Sequence, residues 1–417
     1  MNSKQNGQKY LSFLDGLRGI SILFVIFFHI EKTALISALP FYLKPFFVVV
    51  FENGFLGVMF FFIISGFLTR YHHKKTHVPQ FFIKRYGRLF PAFVCAALSM
   101  EFFRFFPNLI LPLRLILIGC FAVLTYLVLR VTKRQQYSHV IFWSFILLQL
   151  IAAVWYGFIL GHQPVDWFML QSTFVKFISQ FVVNITLAVY LRPHITVLDG
   201  VYWTMLIEII FIYFYPLFFL PFFNWLKNKK MIWHFITLIC FSIFLFVARI
   251  ICYSIPILNS ISIENLGYFC AGIYIADQQH IFLSSPKMKK IISFFSNQII
   301  IFFVFLANQY VYSPSHGIAV YITLLYKILL IIPLSLIFLS FFNSSSPLQS
   351  FSKNKYVVFI GTISYSIYLT HSGIIDGVTL FIKPVNIFTN GIFFILSIFF
   401  IIPTGWVYYY LIEKKRA

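Results

Sequence analysis

The stretch that decides the fold is FLDGLRGISILFVIFFHI, residues 13–30. A bilayer is crossed by about 20 apolar residues, and this run is long enough, yet it carries Asp15, Arg18 and His29. At 3.6 residues per turn, eleven residues advance almost three full turns, so Arg18 and His29 share one helix face about 16 Å apart along the axis. Asp15 lies one turn before Arg18, on roughly the same face. Ionisable groups inside a span are costly and face a protein interior or a water-filled cavity. Three of them on one stripe read as a site. The bland alternative is an Asp–Arg pair at one membrane surface and a histidine near the other, each reaching toward water.

The rest of the chain sets this run in context. Of its 417 residues, 60% are hydrophobic and only 10% charged, where a soluble domain carries about 25% charged residues. The expected fold is therefore an all-α polytopic transmembrane helix bundle in one domain, 1–417. Candidate spans fall near 11–31, 46–69, 90–108, 111–130, 139–160, 199–223, 231–254, 263–277, 291–312, 317–341, 356–380 and 388–411, which gives 10–12 spans. The polar-interrupted stretch 174–191 is left outside or interfacial. The N-terminal MNSKQNGQKY is basic and leads into a span without a small-residue cleavage site, so it reads as a retained anchor.

The formal net charge is +21, from 32 basic and 11 acidic residues. In a bundle of apolar spans this surplus marks cytoplasmic loops and holds anionic membrane lipids; nucleic acid is not an expected partner. Most of the basic residues fall on the inner side when both termini are placed in the cytoplasm. That placement puts His29 toward the outer half of the membrane and Arg85 and Arg88 at the inner surface. The five cysteines, Cys95, Cys120, Cys240, Cys252 and Cys270, all lie in apolar runs without a CxxC, so neither a disulfide nor a metal site is expected.

Three further stretches hold groups suited to chemistry. In FFIKRYGRLFP, residues 81–91, Arg85 and Arg88 are three apart and project to one side of a helix start. Their planar guanidinium forks suit phosphate oxygens, although an ordinary positive-inside anchor has the same spacing. Nearby His72, His73 and His77 lack a carboxylate or cysteine and read as a loop rather than a metal site. In DGVYWTMLIEIIFIYFYP, residues 199–216, Glu208 sits well inside a span, where a carboxylate must be protonated or paired. It reads either as a relay or substrate contact or as a structural hydrogen bond, and Asp199 as a helix cap. In IGTISYSIYLTHSGII, residues 360–375, Ser364, Tyr365, Tyr368 and His371 gather hydrogen-bonding groups in one span; helix packing is the alternative use. The glycines of GFLGVMFFFIISGFLTR, residues 54–70, point to close helix packing.

Taken together, LDGLRGISILFVIFFH, GFLGVMFFFIISGF, the R-x-x-R of RYGR, the WTMLIE of residues 203–208 and ISYSIYLTH occur in the order in which they stand in the acyltransferase-3 family of integral-membrane O-acyltransferases, which this chain resembles. The R-x10-H spacing of Arg18 and His29 is the most specific piece. The resemblance implies transfer of an acyl group, commonly acetyl, from cytoplasmic acyl-CoA to a hydroxyl of a sugar in a cell-surface polysaccharide or glycolipid. It implies location in a bacterial inner membrane. Its essential histidine corresponds to His29, with Arg18 and Asp15 beside it, its acidic residue to Glu208, and its R-x-x-R to Arg85 and Arg88 as the acyl-CoA clamp. Trp203, Tyr365, Tyr368 and His371 are the expected substrate contacts. No permanently bound cofactor is implied, only acyl-CoA as co-substrate and a glycan or lipid-linked sugar as acceptor.

The chain departs from the family pattern at Met205, where Leu is usual, and at Lys414, where Pro is common. Many relatives carry an appended soluble esterase-like domain. The 417 residues hold none, so the chain is expected to finish the transfer itself or to hand over to a separate envelope partner protein. The competing class is a polytopic secondary transporter of a polar or anionic substrate, which also buries charge. A transporter has no use for a CoA clamp, so acyl-CoA binding that depends on Arg85 and Arg88 separates the two.

Overall fold

Apolar runs in a bilayer must satisfy their own backbone groups, and helices do so within one segment. The computed structural model describes residues 11–31, 42–72, 81, 85, 87–97, 200–227, 229, 231–254, 262–311, 318–342, 346–379 and 381–414, and every regular element among them is helical. The expected spans 111–130 and 139–160, most of 90–108, the stretch 174–191, and Asp199, His73 and His77 lie outside the described residues.

The helices are α1 (Ser12–Glu31), α2 (Lys44–Phe51) and α3 (Gly54–His72), then α4 (Gly87–Ala97). After them come α5 (Trp203–Phe214), α6 (Leu220–Lys227), α7 (Met231–Ser254), α8 (Leu266–Ser284), α9 (Pro286–Phe295) and α10 (Gln298–Val311). The series ends with α11 (Ile318–Leu329), α12 (Ile331–Ser340), α13 (Pro347–Ser352), α14 (Lys355–Thr362), α15 (Ser364–Thr379) and α16 (Ile387–Tyr408). Five stretches are long and apolar enough to cross a membrane: Ser12–Ile30, Gly54–His72, Trp203–Lys227, Tyr321–Ser340 and Phe388–Glu413. Two bent pairs, α9 with α10 and α14 with α15, raise that number to seven among the described residues. The chain is a multi-pass membrane protein, and α7 shows how it meets lipid. Ile236, Ile239, Ile243, Phe244, Val247 and Ile251 recur at helical spacing and are all exposed, as a lipid-facing stripe requires.

Three apolar runs that the sequence presents as continuous are divided. The run 46–69 breaks before Gly54: the Asn53 side chain donates to Val49 O at 3.0 Å and accepts from Asn308 Nδ2 at 2.8 Å. The run 291–312 bends by 63° between α9 and α10, where Asn297 Oδ1 accepts from the N–H of Ile299 at 2.9 Å. The run 356–380 bends by 75° between α14 and α15. Within Trp203–Lys227 a π-turn at Tyr215–Phe219 follows from Pro216, which has no N–H to give the preceding turn.

Contacts gather the helices into two compact units, Met1–Lys74 with Phe214–Ile250 and Ile263–Trp406, and Lys75–Tyr213 with Ile251–Ser262 and Val407–Ala417. In the first, α1 packs on α3 through one face and on α13, α14 and α15 through others. Glycine makes the α1–α14 approach possible. A Cβ at Gly361 would run into the carbonyl oxygen of Asp15, and one at Gly19 into that of Val357. The α3–α8 contact is built the same way. Gly66 faces the Phe269 carbonyl and Gly272 that of Ile63, and the pairs Phe62–Phe269 and Arg70–Asp277, each 207 residues apart, show that the two helices run parallel. The second unit packs Phe93 edge-on against Tyr202 at 5.1 Å and ties Tyr408 Oη to Ala92 O at 2.9 Å.

Candidate active site

α1 presents its stripe as the spacing predicts. Asp15 and Arg18 form an ion pair, Oδ1 to Nη1 at 2.7 Å, with side chains 16% and 20% exposed. Such partial burial gives this pair more weight than a surface bridge, which contributes about 0–1 kcal/mol. Eleven residues along, His29 is half-buried, and its Nδ1 lies 2.8 Å from Val25 O. A backbone carbonyl only accepts, so Nδ1 carries the hydrogen and Nε2 of the neutral ring carries the lone pair. That assignment is inferred from the hydrogen bond. A neutral imidazole in this tautomer can accept a proton at Nε2. The rise of α1 keeps Arg18 about 16 Å from it.

The structure brings His371 of α15 to His29: the ring centroids are 4.8 Å apart, with planes at 77°. His371 is fully buried. Its Nδ1 lies 2.8 Å from Tyr368 O and 3.2 Å from Ile367 O, which fixes the same tautomer. Tyr368, one turn earlier, is also buried, with its ring 5.7 Å from His371 and 6.4 Å from Phe61. Tyr365 is half-buried in the first turn of α15. Position 371 comes to α1 because α15 turns sharply from α14, which is itself pressed onto α1 by Gly361.

Arg85, Arg88, Trp203 and Glu208 belong to the second unit. Arg85 Nη1 lies 3.9 Å from Glu208 Oε1, with both side chains about one-fifth exposed. Arg88 Nη2 lies 3.8 Å from Oε1 of Glu413, whose side chain is almost wholly buried. Each arginine of the R-x-x-R therefore has a carboxylate within ionic range, and Glu208 is an ion-paired carboxylate. Trp203 opens α5 and is half-buried.

Further charged groups lie outside those motifs; of these Arg249 and Lys327 each sit singly in an apolar run, the same signal that exposed Asp15 and Arg18. Arg70 binds Asp277 Oδ1 through Nε and Asn224 Oδ1 through Nη2, both at 2.8 Å, tying α3 to α8 and α6. Arg249 Nε lies 3.2 Å from Oε2 of Glu264, a residue only 2% exposed. Lys327 sets its ammonium 5.1 Å from the Phe55 ring centroid, while its carbonyl takes the Tyr268 hydroxyl at 2.7 Å.

An all-helical membrane bundle with two histidines in contact inside it belongs to the class of multi-pass membrane proteins, and comparison with known proteins gives its family. A family model described as an acyltransferase domain matches residues 11–410. The chain belongs to this acyltransferase family. It is also similar to curated proteins named O-acetyltransferase OatA from Staphylococcus aureus, strains NCTC 8325 / PS 47, COL and MRSA252. Each is 30% identical over 121 residues, a stretch covering 27% of this chain and 17% of the relative. No solved structure matches.

Proposed function

We propose that this protein is a membrane O-acyltransferase, and specifically an O-acetyltransferase, that moves an acyl group from acyl-CoA to a hydroxyl of a sugar in a cell-envelope polysaccharide or glycolipid. The observation that carries the reading is the tautomer of His29: the bond from Nδ1 to Val25 O leaves Nε2 as the base. The acceptor hydroxyl gives its proton to His29 Nε2 as its oxygen bonds to the thioester carbon. The carbon–sulfur bond breaks, and the proton leaves with the CoA thiol. Arg18, held by Asp15 and about 16 Å from His29 along α1, orients the arm of acyl-CoA on its way to the base. Arg85 and Arg88 bind the CoA phosphates at the cytoplasmic surface. A guanidinium has five N–H donors, more than one carboxylate takes, so pairing with Glu208 and Glu413 is compatible with phosphate binding. Glu208 sets the position of Arg85, and Trp203, Tyr365 and Tyr368 contact the substrate. Both termini face the cytoplasm of a bacterial cell whose inner membrane holds the enzyme. The distant similarity to proteins named O-acetyltransferase supports acetyl as the acyl group.

The test uses purified protein in proteoliposomes supplied with acetyl-CoA and an oligosaccharide as hydroxyl acceptor. Thiol release should occur with the wild type and fall by about 100-fold or more in His29→Ala, the scale of a lost general base. An active His29→Ala enzyme rules out this base. Acetyl-CoA binding should weaken in Arg85→Ala and Arg88→Ala; unaltered binding rules out the clamp.

A further inference from the structure

We propose that His371 is a positioning residue for His29, orienting its ring and stabilising the imidazolium that forms when His29 takes the acceptor proton. This rests on the reading of His29 as the base, and it gives His371 a task other than holding substrate.

Burial is the first argument. His29 is half-buried, so a substrate can reach it, whereas His371 has no accessible surface. A side chain enclosed on every side can act on the reaction only through a neighbour, and the neighbour it meets edge-to-face at 4.8 Å is His29. The second argument is tautomer. Both rings use Nδ1 to engage a carbonyl of the preceding turn of their own helix, Val25 for His29 and Tyr368 and Ile367 for His371. Each ring is thus fixed in rotation, and each neutral ring keeps its lone pair on Nε2. The third is charge. Two buried imidazolium rings at this separation repel, whereas one cationic ring meeting a neutral one edge-to-face gains from the neighbour's π-electrons. One proton is therefore favoured on the pair, and the exposed ring is the one that exchanges it with substrate. The reaction's proton balance is unchanged: His29 takes the hydroxyl proton, the thiol carries it away, and His371 stays neutral throughout.

His371→Phe keeps the ring volume and loses the nitrogen atoms; His371→Asn keeps a donor for the Tyr368 carbonyl and loses the ring. Both are reconstituted in proteoliposomes with acetyl-CoA as donor and an oligosaccharide as hydroxyl acceptor, and thiol release is followed beside the wild type and His29→Ala. Each His371 variant should lower kcat about tenfold or more while KM for acetyl-CoA stays within about twofold, because the interaction lost is made only as the charge forms. A raised KM with kcat intact would make His371 a substrate contact and overturn the proposal, as would wild-type kcat in either variant. Activity in the wild type that vanishes in His29→Ala but persists in both His371 variants overturns the role of His371 alone. Wild type and His29→Ala alike in releasing no thiol would overturn the transferase reading, and this proposal with it.

Discussion

The contact between α1 and α14 can be tested by one methyl group at Gly361. A Cβ there would meet the carbonyl oxygen of Asp15, lie 2.5 Å from its carbonyl carbon and 2.9 Å from the nitrogen of Gly19. Non-bonded heavy atoms settle at about 3.5–4.0 Å, so the helices must separate by roughly 1 Å or more. All three neighbours are backbone and cannot rotate aside. Overpacking of this kind costs about 1–3 kcal/mol, and a rigid contact puts Gly361→Ala at the upper end. Against it stands the better helix propensity of alanine, about 1 kcal/mol. The net expectation is a loss of about 2 kcal/mol. Because α1 carries His29 and α14 leads into the helix of His371, activity should fall as well. Gly377→Ala in α15 is the matched control: nothing lies within 4 Å of its Cβ, so only the propensity gain remains. Thermal unfolding in detergent, followed by intrinsic fluorescence, should place Gly361→Ala a few degrees below wild type and Gly377→Ala at or above it. Equal melting temperatures for Gly361→Ala and wild type would refute the packing argument.

Removing Glu264 leaves the charge of Arg249 inside the bundle. Breaking such a pair costs about 3–5 kcal/mol, so Glu264→Ala and Glu264→Gln should both reduce the yield of folded, monodisperse protein in size-exclusion chromatography, Gln less because its oxygen still accepts from Arg249. Arg85→Ala and Glu208→Gln should each lower stability, and the double variant should be milder than their sum by about 0.5–3 kcal/mol, the range for paired charges in a double-mutant cycle. Strict additivity would mean that the 3.9 Å approach carries no energy.

Much of the first unit can be read from residue spacing. The stripe of Asp15, Arg18 and His29 needs only 3.6 residues per turn, and the glycines of residues 54–70 do admit close helices: Gly57 faces the Ser21 carbonyl and Gly66 that of Phe269. Hydropathy alone hides the breaks. Residues 46–69 and 356–380 read as unbroken spans because apolar residues continue through the bends, and the causes, Asn53 gripping α2 and α10 or Gly361 docking on α1, involve groups distant in the chain. Long-range pairing also explains the missed charges. Arg249 looks like an isolated charge until the fold supplies Glu264, and Asp277 looks like one polar residue at the end of an apolar run until the fold supplies Arg70. For the same reason the contact of His29 with His371 lies beyond any pattern in the sequence, although each histidine stands out within its own apolar run.

The central claim, that His29 is the base of an acyl transfer to an envelope sugar, is tested most directly in cells. Glycan and lipid fractions from cells with wild-type protein, with His29→Ala and with no protein are compared by mass spectrometry. The account predicts a mass increment of one acyl group, on a sugar-containing species, present only with the wild type. The same increment with His29→Ala, or in cells lacking the protein, would contradict it.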